Sequence, residues 1–173
     1  MNKEEARWMV FYTHSRHEKK ADAALIEAGY TSYLPLVETI KQWSDRKKKV
    51  KEPLFRSYIF VKTSIMQVSK VSETFGIVGP VRLGDEYAIV TEKEIETIKA
   101  TANSGYAVEL SDYSFEEGED VQLVGGPLKG IKGRFSTKAS ASYICILIEG
   151  LNQGIKVKVP THLVKPLKKS PAA

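Results

Sequence analysis

One cysteine, Cys145, stands alone in 173 residues, so no intrachain disulfide can staple the fold. It lies in the short apolar run Ile144 to Ile148, where a thiol behaves as a small hydrophobe. Runs that short cannot cross a bilayer, which takes roughly 20 apolar residues. The first residues, MNKEEARW, hold no apolar signal region, so the expectation is a cytoplasmic chain with no membrane partner. Histidine is scarce, at three residues. His14 and His17 have helical spacing for a metal, but no cysteine or carboxylate cluster accompanies them, and His162 is remote. There is no glycine-rich phosphate loop and no nucleophile beside a plausible base. Paired acids such as Glu116-Glu117 stand in a polar context. The chemistry of an enzyme does not assemble, and neither a metal nor a cofactor is expected.

What is present is positive charge, concentrated in one place. The formal net charge is +5. Residues 1 to 100 carry 17 basic and 14 acidic side chains, residues 115 to 173 carry 9 and 5, and the stretch between them is acidic. Lys41 to Arg56 alone holds seven cations against Asp45 and Glu52. A polyanion partner fits such a segment, and so does a solvated loop.

The first hundred residues alternate strand and helix patterns. Trp8 to Thr13 is apolar on both alternating sets, the pattern of a strand covered on both faces. Ser15 and Glu18 have the spacing of a capping box, and Ala21, Ala24, Leu25 and Ala28 follow at helical intervals with Gly29 as the stop. Tyr30 to Val37 predicts a second strand, placed at a sheet edge by Pro35. Ser57 to Val61 is again apolar on both faces. Ser64 and Gln67 predict a second capping box, opening a helix with Ile65, Val68, Val71 and Phe75 and ending at Gly76. Ile77 to Val81 and Tyr87 to Val90 supply the last strand, split by a Gly84-Asp85 turn. Thr91 and Glu94 predict a third box, for a helix with Ile95 and Ile98 inward. The order β-α-β-β-α-β-α predicts an α+β fold of the ferredoxin-like split βαβ kind, with strands one and three central.

Thr101 to Tyr113 loses periodicity and reads as a linker. Five short strands follow, at Asp120 to Val124, Gly130 to Thr137, Tyr143 to Glu149, Ile155 to Pro160 and Leu163 to Leu167. Turns fall at Gly125-Gly126-Pro127 and Asn152-Gln153-Gly154. Some fifty residues in five strands predict a small closed β-barrel. The expected division is a first domain over 1–100, a linker over 101–114 and a second domain over 115–173.

Gly118-Glu119-Asp120-Val121, Gly125-Gly126-Pro127-Leu128-Lys129-Gly130 and Gly133 resemble a KOW motif, which implies an SH3-like five-stranded barrel. Trp8, Tyr33-Leu34-Pro35 and Pro53 to Val61 (PLFRSYIFV) resemble the N-terminal domain of the NusG family of transcription factors. Together the resemblance covers roughly residues 6 to 167. Gln42-Trp43-Ser44-Asp45, Arg46-Lys47-Lys48 and Pro53-Leu54-Phe55 are similar to specialised paralogues of the UpxY and RfaH type. Housekeeping members usually have Phe-Pro-Gly-Tyr where this chain has Phe55-Arg56-Ser57-Tyr58.

The resemblance implies a non-catalytic factor that holds RNA polymerase in processive elongation and antitermination, in a specific operon set such as polysaccharide biosynthesis. Tyr12, Tyr58 and Phe60 match the family's pocket for the β′ clamp helices, although the residues alone read first as packed core. His14, Arg16, His17 and Lys20 match the region that approaches the non-template DNA strand, and read equally as a solvated charged surface. Trp43 to Val50 reads as a hairpin tip turned at Ser44-Asp45, where Trp43, Arg46 and Lys47 suit stacking and phosphate attraction, or a Trp packed beneath a mobile basic loop. Leu151 fits an apolar partner contact near Gly150, through which the KOW domain would meet a ribosomal protein or Rho. Two other readings are a housekeeping NusG and a ribosome-associated, RNA-binding KOW protein.

Overall fold

The computed structural model describes residues 4–111, 118–138 and 141–167, with the side chain of residue 138 left aside. The last residues of the expected linker and the Glu116-Glu117 pair lie outside the described residues. The chain divides into two compact units, Met1–Glu96 and Thr97–Ala173.

In the first unit β1 (Arg7–Thr13) leads into α1 (Glu18–Glu27), β2 (Thr31–Tyr33), the ribbon β3 (Leu36–Gln42) and β4 (Lys47–Pro53), and β5 (Tyr58–Thr63). A 3-10 turn at Ile65–Gln67 then opens α2 (Val68–Ser72), followed by β6 (Ile77–Pro80). The short strands β7 (Arg82–Leu83), β8 (Glu86–Tyr87) and β9 (Ile89–Val90) precede α3 (Glu92–Ala102), which runs across the boundary between the units. The main sheet has the order β2-β5-β1-β6, with β9 also on β1. The two strands apolar on both faces are therefore central, and the proline-marked segment is an edge. β6 pairs with the far end of β1 and β9 with its start, while β7 and β8 form an excursion around the Gly84-Asp85 turn.

Alternation along β1 and β5 splits their side chains between two layers. Met9, Phe11, Ile59 and Val61 enter a core with Ala21 and Leu25 of α1 and Val68 and Val71 of α2. Val10 and Phe60 face the other way and are equally buried. Trp8 lies on that second face and donates from Nε1 to Glu92 Oε2 at 2.9 Å, while Lys62 also pairs with Glu92.

Of the three capping boxes expected, one forms. Thr91 N–H donates to Glu94 Oε2 at 2.8 Å and Glu94 N–H returns the bond to Thr91 Oγ1 at 3.2 Å. The Ser15–Glu18 box does not: His17 is the N-cap and makes no side-chain cap bond. Ser64 likewise makes none, and the Gln67 side chain instead accepts from Thr63 Oγ1. At the other end of α1, Gly29 at φ +85 allows its N–H to reach Ile26 O and that of Tyr30 to reach Leu25 O, a Schellman stop. The second helix is shorter than its pattern suggested, and Phe75 falls beyond it, 63% exposed.

The expected strand Tyr30 to Val37 is interrupted at Leu34-Pro35, because proline cannot extend the ladder to β5. The chain turns there into a separate two-stranded ribbon, in register from Leu36↔Pro53 to Gln42↔Lys47, with Trp43 to Arg46 as its tip. The hairpin expected at Trp43 to Val50 is present, with a tighter tip than expected, because Lys47 to Val50 already belong to β4.

The second unit is a six-stranded antiparallel sheet. Its strands are β10 (Val108–Ser111), β11 (Glu119–Leu123), β12 (Lys132–Lys138), β13 (Ala141–Ile148), β14 (Gln153–Lys158) and β15 (Val164–Pro166). Their order is β10-β14-β13-β12-β11-β15. The five expected strands are all present. The sixth, β10, lies in the stretch read as linker: Val108 to Ser111 pairs with Gly154 to Val157, so these four residues are ladder. Val121, Leu123, Ile144, Ile148, Ile155 and Val157 fill the interior. Two of the KOW-like glycines serve close approach: a Cβ on Gly118 would lie 2.0 Å from Phe135 O, and one on Gly133 2.3 Å from Cys145 O.

Candidate functional site

Tyr12 and Tyr58 are directly opposed across β1 and β5. Their rings meet edge to face, with centroids 5.2 Å apart. Tyr12 is 40% exposed and Tyr58 half-buried, on a face whose neighbouring positions Val10 and Phe60 are closed to solvent. The register of β1 against β6 slips between Tyr12 and Thr13, the kind of irregularity that re-aims a side chain. Partial burial, aided by a hydrogen bond to Tyr12, pushes the Tyr58 hydroxyl up to about 12.

Phe60 does not join them at the surface. Fully buried, it packs against Phe55 at 5.5 Å and Tyr33 at 6.2 Å. Phe55 is supplied by the turn before β5, which folds back over the sheet. Phe60 is thus core, as the apolar pattern of its strand implies, and not the exposed anchor that the resemblance implies. Burial also pushes Tyr33 up to about 12.

The turn between Phe55 and Tyr58 contains the residue that sequence reasoning missed. Ser57 sits at φ +60, a left-handed conformation that suits glycine. Its N–H donates to Glu18 Oε1 at 2.9 Å, and its carbonyl accepts from Thr13 N–H at 2.9 Å. Glu18 is buried, and this bond explains why it does not cap its own helix. The signal was present: Arg56-Ser57 stands where the resembled family has Pro-Gly, so a strained turn was to be expected there.

The corner at the start of α1 adjoins Tyr12 in sequence. His14 and His17 rings lie 6.0 Å apart, and His17 also meets Phe75 at 6.0 Å. Arg16, at φ +63, and Lys20 are exposed. Lys19 reaches the base of the ribbon and donates to Lys51 O at 2.8 Å. At the ribbon's tip Trp43 is 53% exposed, beside the exposed Arg46 and Lys47. Trp43 therefore is not packed beneath the loop. His14, Arg16, His17 and Lys20 form one group and Trp43, Arg46 and Lys47 another.

Leu151 is 4% exposed, inside the second unit. Its 3-10 turn, Glu149–Leu151, folds the side chain inward, so it is core and not a surface contact. Among the described residues no group of three or more His, Cys, Asp or Glu is placed to hold a metal, and no helix is long and apolar enough to cross a membrane.

Comparison with known proteins agrees with this architecture. Residues 6–99, just over half the chain, match the family model of the transcription termination factor NusG. The chain is 24% identical over 170 residues to the transcription termination/antitermination protein NusG of Pseudomonas aeruginosa, covering 88% of this chain and 94% of that one. It is 26% identical over 153 residues to the protein of the same name from Borreliella burgdorferi, covering 75% and 81%. A solved structure of Thermotoga maritima NusG, described as showing domain interaction, shares the fold with a TM-score of 0.55 at 20% identity, over 95% of this chain and 98% of that one. The chain belongs to the NusG family of transcription factors, which are not enzymes, and carries that family's α+β N-terminal domain with an all-β KOW-like unit behind it.

Proposed function

We propose that this chain binds RNA polymerase through the Tyr12–Tyr58 pair and keeps it elongating through pauses and terminators. The observation that carries the reading is the pair itself: two opposed tyrosines, partly exposed, on a rigid and otherwise closed sheet face. Aromatic rings held by central strands on a buried floor lose little freedom on binding, which makes them efficient anchors for a helical partner. The β′ clamp helices are the partner proposed. The groups around Arg16 and Trp43 would then lie toward nucleic acid, the non-template strand of the transcription bubble, with cations for phosphates and an open indole for a base. Residues up to about 100 would form the polymerase-binding domain. The segment to Ala107 would connect it to the barrel, which would recruit a second partner such as a ribosomal protein or Rho. Such a factor works in the cytoplasm. The Arg56-Ser57 turn and the basic ribbon favour a specialised antiterminator of the UpxY or RfaH type, acting on a restricted set of operons such as polysaccharide biosynthesis.

The two curated relatives, both named NusG, favour a second reading as a housekeeping factor. Transcription in vitro with purified polymerase tests the choice. A specialised factor raises run-through on the leader of its neighbouring operon and leaves an unrelated terminator unchanged. Equal effects on both templates mean a housekeeping role, and no effect on either, with no polymerase capture, defeats the proposal.

A further inference from the structure

The ribbon β3–β4 is poorly explained as a piece of the fold. It is a sheet of two strands on its own, and from Glu38 to Lys51 nearly every residue is exposed. An isolated hairpin is at best marginally stable in water. This one also opposes Lys41 directly to Lys48, a like-charge pair that weakens the ladder. Six cations stand in it against the carboxylates of Glu38, Asp45 and Glu52. Lys41 pairs with Glu52, and Lys49 reaches Glu38 only at 3.8 Å between two exposed side chains.

The register sorts these cations between faces. Lys41 and Lys48 share one face with Thr39, Val50 and Glu52. Lys47, Lys49 and Lys51 share the other, opposite Gln42, Ile40 and Glu38. Along one strand, alternate residues are about 6.8 Å apart. That step is close to the spacing of successive phosphates in an extended single strand. The second face is therefore a straight row of three lysines, one to each phosphate. Lys19 ties its base to α1, and the open Trp43 indole stands at its far end. A duplex offers no free base face to such an indole, whereas an unpaired strand does.

We infer that the Lys47–Lys49–Lys51 face of the ribbon is a docking surface for the sugar-phosphate backbone of single-stranded nucleic acid, read without regard to sequence. The inference rests on the nucleic-acid part of the proposed function and adds Lys49 and Lys51 to it. Neutralising the row with phosphates also relieves the charge crowding that the free ribbon carries.

The test is binding of the full chain to a short fluorescein-labelled DNA single strand of mixed sequence, titrated at several salt concentrations. For single strands the slope of log K against log salt is about −0.7 per phosphate neutralised, so the triple variant Lys47→Ala/Lys49→Ala/Lys51→Ala should flatten it by about 2. The opposite-face variant Lys41→Ala/Lys48→Ala should leave it unchanged. Equal flattening by both variants, no change in the triple variant, or tighter binding of the matched duplex than of the single strand would each overturn the inference. Circular dichroism and polymerase capture are measured on the same proteins. Retained capture with an unchanged salt slope sinks this inference alone, and lost capture with a flattened slope sinks only the placement of the polymerase surface.

Discussion

The backbone N–H of Ser57 donates to the buried carboxylate of Glu18 at 2.9 Å, across 39 residues of sequence. The bond joins the first turn of α1 to the turn that launches Tyr58. It therefore couples the corner bearing Arg16 and Lys20 to the tyrosine pair. Glu18→Ala removes the acceptor and leaves an unpaired N–H in a left-handed turn. We expect a loss of about 1–3 kcal/mol, read as a lower urea midpoint at constant slope. An unchanged midpoint would mean that water serves the N–H equally well.

Ser57→Gly should act in the opposite direction. A non-glycine residue held at positive φ costs roughly 1 kcal/mol, partly offset by the greater freedom glycine brings to the unfolded chain. The net expectation is a gain of about 0.5 kcal/mol in the same urea titration. A loss would show that the Ser57 side chain contributes something beyond its backbone.

Tyrosine ionisation offers a spectroscopic check. Tyr33 and Tyr58 are both pushed up to about 12, Tyr33 by burial and Tyr58 by partial burial and its bond to Tyr12. Each has a folded value above its unfolded value near 10, so each favours the folded state fully below that pH. The contribution is lost as pH rises toward 12. Ultraviolet titration of the folded protein should show a late phase near pH 12, and Tyr58→Phe should reduce it. A single phase near 10 would contradict the packing described for both rings.

The second unit is tested at Gly133. An added Cβ would meet Cys145 O at 2.3 Å and Ile144 Cγ1 at 2.8 Å, backbone and core atoms that cannot both yield. Gly133→Ala should therefore cost about 1–3 kcal/mol or more in the second unit. Loss of the amide cross-peaks of β12 and β13 while those of β1 and β5 persist would be the expected signature.

The central strands were legible because a strand covered on both faces is apolar at successive positions, and Trp8 to Phe11 and Ile59 to Val61 are. Tyr12 and Tyr58 were singled out by the family resemblance, and only the register of β1 against β5 shows them opposed. The burial of Phe60 agrees with that apolar pattern, but its packing against Phe55, from a turn with no apolar period of its own, was not legible. The ribbon was legible as a hairpin tip, but its strands were obscured by composition: lysine is a poor strand former, and only the ladder makes Lys47 to Lys51 a strand. β10 was hidden likewise, because Val108 to Ser111 is strand only by pairing with β14. Two capping boxes failed where another partner claimed the side chain, Ser57 for Glu18 and Thr63 for Gln67. Leu151 matched a surface pattern in a turn that closes inward.

The central claim is that the tyrosine pair is a partner-facing surface and not core. Equilibrium binding of Tyr58→Ala to core RNA polymerase, measured beside its urea midpoint, tests it most directly. An interface anchor is worth about 2 kcal/mol, so affinity should fall roughly 30-fold while the midpoint moves little. A protein that loses stability yet binds polymerase with wild-type affinity when folded would contradict the account.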